Sequence, residues 1–246
     1  EMRNLYGEDS AMYKVRVLGE FADEDELGFI TPSIIRSAIN RDIEPSPSMP
    51  IIWGLDVARM GRDRSALCKR KGNTITEKIK TWRKLDLMSL AGEIMNEFQN
   101  TPPEEQPKIL LIDSIGLGSG LCDRISEIGI IPTRGINVSE SSALVNECGN
   151  LRAELWYLAR EFFEKKTCKI PDDPELIKEL SAPRYKFDSR GRYLIESKDE
   201  MRKRGEKSPD LADAFCLTFA ENPAILVGGE RISWNQPLVR DIQGIQ

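Results

Sequence analysis

An α/β fold is what this sequence predicts, with its chemistry carried by acids at strand ends. Two stretches carry the prediction. Residues 51–56, IIWGLD, form a short apolar run that ends on Asp56 and opens into a loop holding Arg59, Gly61 and Asp63. A run apolar at nearly every position, entered through the Pro/Ser stretch Glu44–Pro50, reads as a central strand covered on both faces. Residues 108–113, KILLID, repeat the pattern and deliver Asp113 to the loop Ser114–Gly120. A single aspartate in such a place is also an ordinary turn former. Two of them, at the carboxyl ends of two buried strands, stand where open α/β sheets place their ligands.

The remaining elements fit around these strands. Thr31–Asn40 reads as a short helix with Thr31 as cap and Pro32 at the first position. Ser65–Arg70 and Asn73–Trp82 are β-rich and joined by Lys71 and Gly72 as a hairpin. Leu87, Leu90, Ala91, Ile94, Met95 and Phe98 recur at helical spacing. Past the loop IGLGSG, a helix is expected over Leu121–Ile128 and a strand over Ile130–Val138. Leu151–Phe163 is strongly amphipathic, Asp173–Leu180 is a shorter helix with Pro174 near its start, and Tyr185–Ile195 alternates around Ser189–Gly191 as a β-hairpin. Ser208–Ala220, SPDLADAFCLTFA, reads as a last helix with Ser208 as cap and Pro209 at its first position.

Composition narrows the chemistry. There is no histidine among the 246 residues, which excludes Ser-His-Asp and Cys-His catalysis, HExxH zinc sites and histidine bases. Any metal must then be held mainly by carboxylates, whose oxygens suit Mg²⁺ or Mn²⁺. Five scattered cysteines without CxxC spacing argue against a disulfide framework or a zinc site, and point to a reducing cytoplasm. No apolar run approaches the roughly 20 residues that span a bilayer, so no membrane partner is expected. The net charge of −5 is concentrated in residues 1–50, with 10 acids and 5 bases, so the other 196 residues balance. Local patches therefore matter more than the total.

A third acid is sought on the last helix. Asp210 and Asp213 lie three apart on its first turns, where carboxylates also have the ordinary role of opposing the helix dipole. Asp213 interrupts an apolar face between Ala212 and Ala214, and a charge there needs a partner. Asp56, Asp113 and Asp213 can converge on one site, as two divalent ions require.

In order and residue type these features resemble the ribonuclease H-like superfamily, and within it the nuclease domain of the large terminase subunit of tailed bacteriophages. The resemblance rests on GLDVARMGRDRSAL around Asp56, ILLIDSIGLGSGL around Asp113, NLRAELW at Asn150–Trp156 and SPDLADAFCLTFA around Asp213, and covers roughly residues 6–222. It implies a mixed sheet of three antiparallel strands followed by parallel strands, flanked by helices, with an added β-hairpin. It implies a DNA endonuclease that cuts concatemeric viral DNA in the cytoplasm of the infected bacterial host, with two Mg²⁺ or Mn²⁺ ions held by Asp56, Asp113 and Asp213. Asp63 and Arg59 would support the site. Many members carry a histidine where this chain has Asp210, so a fourth metal ligand and a simple helix acid are both open for that residue. Domain limits of 1–48 for a linker and N-terminal extension, 49–222 for the nuclease domain and 223–246 for a tail follow from the same likeness.

The chain begins without methionine, and YGEDSAMYKVRVLGEF resembles the segment joining that family's ATPase domain to its nuclease domain. A fragment of a longer polypeptide is expected, without the Walker A lysine motif of the packaging motor. Implied partners are double-stranded DNA, the ATPase domain of the same polypeptide, the portal and the small terminase subunit. DNA contact is expected from residues 184–207, where nine bases face five acids, with Arg184, Lys186, Arg190, Arg192, Lys198 and Arg202 as the candidates. A solvated charged face also explains such a run. Two other functions fit less well: an actin-like or sugar-kinase phosphotransferase, which wants glycine-rich phosphate loops where this chain has VARMGRD, and a non-catalytic DNA-binding assembly module.

Overall fold

Strand β1 (Ile51–Asp56) is buried at every position and runs through the middle of the main sheet. The computed structural model describes residues 28–58 and 64–221, and the backbone of 225–227 and 230–232. Strand β2 (Arg64–Lys71) lies antiparallel to β1, and β3 (Thr74–Ile75) and β4 (Lys80–Arg83) both pair antiparallel with β2. On the other side β5 (Ile109–Asp113) runs parallel to β1, and β6 (Thr133–Ile136) parallel to β5. The result is the mixed sheet that the resemblance implies: an antiparallel half, then a parallel half. Strands β7 (Tyr185–Phe187) and β8 (Tyr193–Ile195) form a separate hairpin, and β9 (Ile225–Val227) pairs with β10 (Glu230–Ile232).

Side chains on a strand alternate faces, and that period sets where the acids point. Ile51, Trp53 and Leu55 of β1 pack with Leu110 and Ile112 of β5 on one face, against α2 (Leu87–Asn100) and α3 (Leu117–Ile128). Ile52 and Leu111 pack on the opposite face, against α1 (Pro32–Arg36), α4 (Leu151–Glu164), α5 (Pro174–Ser181) and α7 (Asp210–Leu217). Asp56 continues the parity of Ile52, and Asp113 that of Leu111. The register Leu55 to Ile112 makes the two aspartates next in line on neighbouring parallel strands. Both therefore face α4 and α7.

Two glycines permit the approach of helix to strand. A Cβ on Gly54 would lie 2.2 Å from the Ala214 carbonyl oxygen, so β1 and α7 meet backbone to backbone one residue from Asp213. A Cβ on Gly118 would lie 1.7 Å from the carbonyl oxygen of Asp113, so α3 starts directly against the end of β5. Side-chain caps define other helix starts. Asp86 accepts from Ser89 N, Asn150 from Ala153 N, and Asp173 from Glu175 N and Leu176 N.

Several expectations are corrected. The segment 73–82 is not one strand, because β3 and β4 occupy opposite ends of the eight-residue β2 and exposed residues turn between them. The first helix stops at Arg36, and Thr31 makes no side-chain cap. The helix after β5 begins at Leu117 rather than Leu121, taking up the glycines of the supposed loop, and β6 covers only Thr133–Ile136 of the expected 130–138. Helix α7 starts at Asp210, with Pro209 in the cap position and no cap from Ser208. A further helix, α6 (Lys198–Lys203), was not expected at all. Its capping box, Ser197 with Glu200, is a legible S-x-x-E signal hidden inside the charged run. Arg59, Asp63 and the segment before residue 28 lie outside the described residues.

Candidate active site

Asp56, Asp113, Asp210 and Asp213 line one cavity of about 390 Å³ at the carboxyl ends of β1 and β5. Asp56 is 3% exposed and Asp210 5%, while Asp113 and Asp213 are half-buried. Lys198, at the first position of α6, reaches into the middle of them. Its Nζ lies 3.1 Å from Asp56 Oδ2, 3.1 Å from Asp213 Oδ2 and 3.9 Å from Asp210 Oδ1. Helix α4 supplies two donors to the far oxygen of Asp213: Trp156 Nε1 at 3.1 Å and Arg152 Nη2 at 3.3 Å. Arg152 is itself fixed by donating to the carbonyl oxygen of Glu196 at 2.6 Å. Asp113 Oδ1 accepts from Ile115 N at 3.0 Å, which folds the start of the following loop around it.

A second network holds α7 from behind. Glu179 of α5 accepts from Leu211 N at 2.7 Å and Ala212 N at 3.3 Å, capping a helix that Pro209 cannot cap. Its other oxygen receives Arg64 at 2.6 Å, and Arg64 also pairs with Glu175 at 2.8 Å. The Arg64 backbone N–H donates to Asp210 Oδ2 at 3.2 Å.

With this geometry in view, comparison with known proteins identifies the architecture. No protein-family model matches the chain. A probable terminase large subunit of Enterobacteria phage P7 is 25% identical over 232 residues, which are 88% of this chain and 46% of that protein. The chain thus spans about half the length of the curated relative it matches. The nuclease domain of the large terminase subunit gp2 of bacterial virus Sf6 superposes with a TM-score of 0.66 at 18% identity, over 79% of this chain and 99% of that domain. The fold is that of a large-terminase nuclease domain. A mutant of the Sf6 domain with manganese and beta-thujaplicinol has a TM-score of 0.64 at 17% identity, over the same 79% and 99%. The large terminase nuclease from thermophilic phage G20c with bound magnesium has a TM-score of 0.52 at 15% identity, covering 73% of this chain and 85% of that one.

In this terminase fold the acids differ sharply in their electrostatics. Burial pushes the Asp56 carboxyl up to about 7, and the neighbouring Asp213, Asp210 and Asp113 add to the rise against the opposing Lys198. Burial is also the main cause that raises Asp113. For Asp213 burial acts in the same direction, but Arg152, Lys198 and the Trp156 N–H together hold it below the usual carboxylate range. Lys198 is kept above its ordinary value by Asp56 and Asp213 despite its own burial. So one acid of the site is poised to carry a proton, and another is locked ionised.

The donor set fits a hard divalent cation. The donor atoms offered are carboxylate oxygens, and Asp213 Oδ2 is buried facing the Lys198 ammonium at 3.1 Å, the place a bound cation would take. Among the described residues Lys198, Arg152 and Arg202 line the same cavity as the four aspartates, so carboxylates and cations are drawn together in a largely buried setting. As the side chains stand, no three acids among the described residues form a ready cage, and the Lys198 amine lies among them.

The structure thus brings together the four aspartates singled out in the sequence. Lys198, expected on a DNA-facing surface, lies inside the acid cluster instead, because α6 turns the charged run toward the cleft. Of the other expected DNA contacts, Lys186 pairs with Glu200 at 2.7 Å, Arg192 with Asp188 at 2.7 Å and Arg202 with Asp199 at 2.9 Å. Arg184 donates its backbone N–H to Glu196, and Arg190 sits exposed at the hairpin tip. Sequence reading missed Arg152, Trp156, Arg64 and Glu179. Arg152 and Trp156 stand four apart on α4 within the motif NLRAELW, which carries part of the resemblance but by itself assigns neither residue a role.

Proposed function

We propose that the chain is the nuclease part of a terminase large subunit, a metal-dependent endonuclease that cuts concatemeric viral DNA during genome packaging. The observation that carries this reading is the convergence of Asp56, Asp113 and Asp213, from two parallel strands and a closing helix, in a fold shared with terminase nucleases. The phage P7 relative and the metal-bound Sf6 and G20c domains support it. Residues 49–222 form the nuclease domain in this reading, between a linker and a tail. The rest of the packaging machinery, namely an ATPase domain in the same polypeptide, the portal and the small subunit, belongs to the proposal, as does the host cytoplasm as its place of work. No described helix is long and apolar enough to cross a membrane.

Two Mg²⁺ or Mn²⁺ ions held by Asp56, Asp113 and Asp213 would supply an activated water and charge stabilisation at the leaving oxygen. The chain's own residues do the rest. Trp156 and Arg152 hold one oxygen of Asp213, so its other oxygen faces the cleft. Asp210, bound to the Arg64 N–H, anchors the first turn of α7 beside the site. Lys198, one-third exposed, balances the acids until cations replace it. Basic residues of the hairpin region, with Arg190 exposed at its tip, take DNA phosphates.

Digestion of plasmid DNA in Mn²⁺ tests the reading. Asp113→Asn and Asp213→Asn keep the shape and remove a charge, so each should fold normally and lose on the order of a thousandfold in rate, since a catalytic metal contributes several kcal/mol. Digestion by either variant at the parental rate overturns the two-metal reading. Asp210→Asn separates a fourth ligand, with a similar loss, from a helix acid, with near-normal rate.

A further inference from the structure

A second groove, of about 450 Å³, adjoins the acid cleft and shares Asp210 and Arg202 with it. Its floor is the Arg64 pair with Glu175 and Glu179, and its rim carries Arg83 from the end of β4 and Lys207 from the turn before α7. The charges divide in a telling way. The acids of the groove are committed: Glu179 caps α7 and holds Arg64, Asp210 accepts from the Arg64 N–H, and Glu206 lies 3.8 Å from Arg204. Arg83 and Lys207 are exposed, and their side chains make no hydrogen bond or ion pair among the described residues. Glu175 is left to serve Arg64 first and the more distant Arg83 and Lys207 after it.

The position of Arg83 adds an independent point. It stands directly opposite Arg64 in the antiparallel register of β2 and β4. Like charges in that relation destabilise a strand pair. Arg64 is neutralised by its glutamates, so the cost falls on keeping Arg83 uncompensated at the groove's edge. Ser208, 6% exposed, also lines the groove, and its hydroxyl has no hydrogen-bond partner among the described residues.

We infer that this groove is a backbone subsite for duplex DNA, in which Arg83 and Lys207 bind phosphates flanking the bond presented to the aspartates. The inference rests on the nuclease reading and adds the direction in which the substrate leaves the cleft. Contacts of this kind are to phosphate, so they position the duplex and carry no sequence preference.

The test measures binding of a fluorescent 30-base-pair duplex in EDTA, where nothing is cut, as salt is raised. Arg83→Ala with Lys207→Ala should lower the slope of log affinity against log salt by about two, one for each phosphate left without its cation. Arg83→Lys should restore one of those two. Lys108→Ala, an exposed change at the opposite end of β5, should leave the slope as in the parent. In Mn²⁺ the double variant should raise KM for plasmid several-fold with kcat near the parental value. An unchanged slope and KM in the double variant overturns the subsite, and so does a parent that binds no duplex. If Asp113→Asn is inactive while the slope does not move, the groove inference alone fails. If Asp113→Asn cuts normally, the two-metal reading of the aspartate site fails whatever the slope does, and if the parent itself does not cut, the nuclease reading fails.

Discussion

Two clusters of buried charge lie on opposite faces of the same sheet, and they are built on different accounts. On the α2 face, Lys69 sits over the Trp53 ring and pairs with Glu97 and with Glu77 at 2.7 Å, while Lys80 reaches Glu97 at 2.5 Å. Two cations meet two acids. On the α4 and α7 face, four aspartates meet Lys198 and Arg152. The first cluster is complete as it stands, and Glu97 is accordingly held below its ordinary range: burial raises it, but Lys69 and Lys80 outweigh that. In the second, burial raises Asp56 to about 7, and the neighbouring Asp213, Asp210 and Asp113 add to the rise against the opposing Lys198. A fold tolerates a carboxylate raised in this way where a ligand completes the site, so a buried acid pushed far above its ordinary value marks a candidate working cluster, and Glu97, pulled below it, a structural pair.

The strongest way to break this contrast is pH. Asp56 is held at about 7 against 3.8, and Glu179 at about 7 against 4.5. Both keep protons in the folded chain that the unfolded chain releases, so their contribution is full below the unfolded values and is lost as pH rises through about 7. With no histidine in the chain, no other side-chain type ordinarily titrates in that window. Thermal unfolding in EDTA should therefore show stability falling by up to several kcal/mol between about pH 5 and pH 8. Glu97, with a lowered value, titrates below that range and leaves the α2 cluster silent. Mn²⁺ needs ionised carboxylates, so its stabilising effect should grow with pH over the same interval. A flat or rising profile in EDTA removes the basis of the comparison.

A smaller effect sharpens it. Trp156→Phe keeps the ring in the core and deletes only the N–H that holds Asp213. Partners behind a metal ligand typically matter ten- to a hundredfold in affinity. Mn²⁺ titration by calorimetry should show a loss of about that size in the folded variant. Affinity equal to the parent would mean that Arg152 alone orients Asp213. The smallest expected change is on the other face. Glu97→Gln weakens the Lys69 and Lys80 pairs, one of them at the exposed Lys80, and should lower stability by about 1 kcal/mol. Its Mn²⁺ affinity should match the parent's, and a tenfold difference would show that the two clusters are coupled through the sheet.

Particular residues show where sequence reasoning reaches and where it stops. Asp56 and Asp113 were legible because an apolar run that ends on an acid is a local pattern. Even their common face follows from parity, since Ile52 and Leu111 point the same way. Lys198 was legible only as one charge in a basic run. The capping box that starts α6 is a four-residue pattern, Ser197 to Glu200, but what that helix faces depends on the packing of α4 and the hairpin. Glu179 gave no signal. It caps a helix more than thirty residues ahead of it in the chain, which the local cap candidate, Ser208, does not cap.

The sequence by itself determined the α/β class, the alternation that buries β1 and β5, the strand-end aspartates and the absence of any histidine alternative to them. These are properties of neighbours along the chain, fixed by strand period, helix period and composition. The tertiary structure decided which charges meet. Gly54 lets α7 approach β1 closely enough to bring Asp213 to Asp56, α6 turns Lys198 inward, and α4 aims Trp156 and Arg152 at one carboxylate oxygen. Several of those contacts join residues far apart in the chain, 57 positions for Trp156 with Asp213 and 142 for Lys198 with Asp56. No local pattern encodes such distances, because the energy of a buried charge depends on everything folded around it.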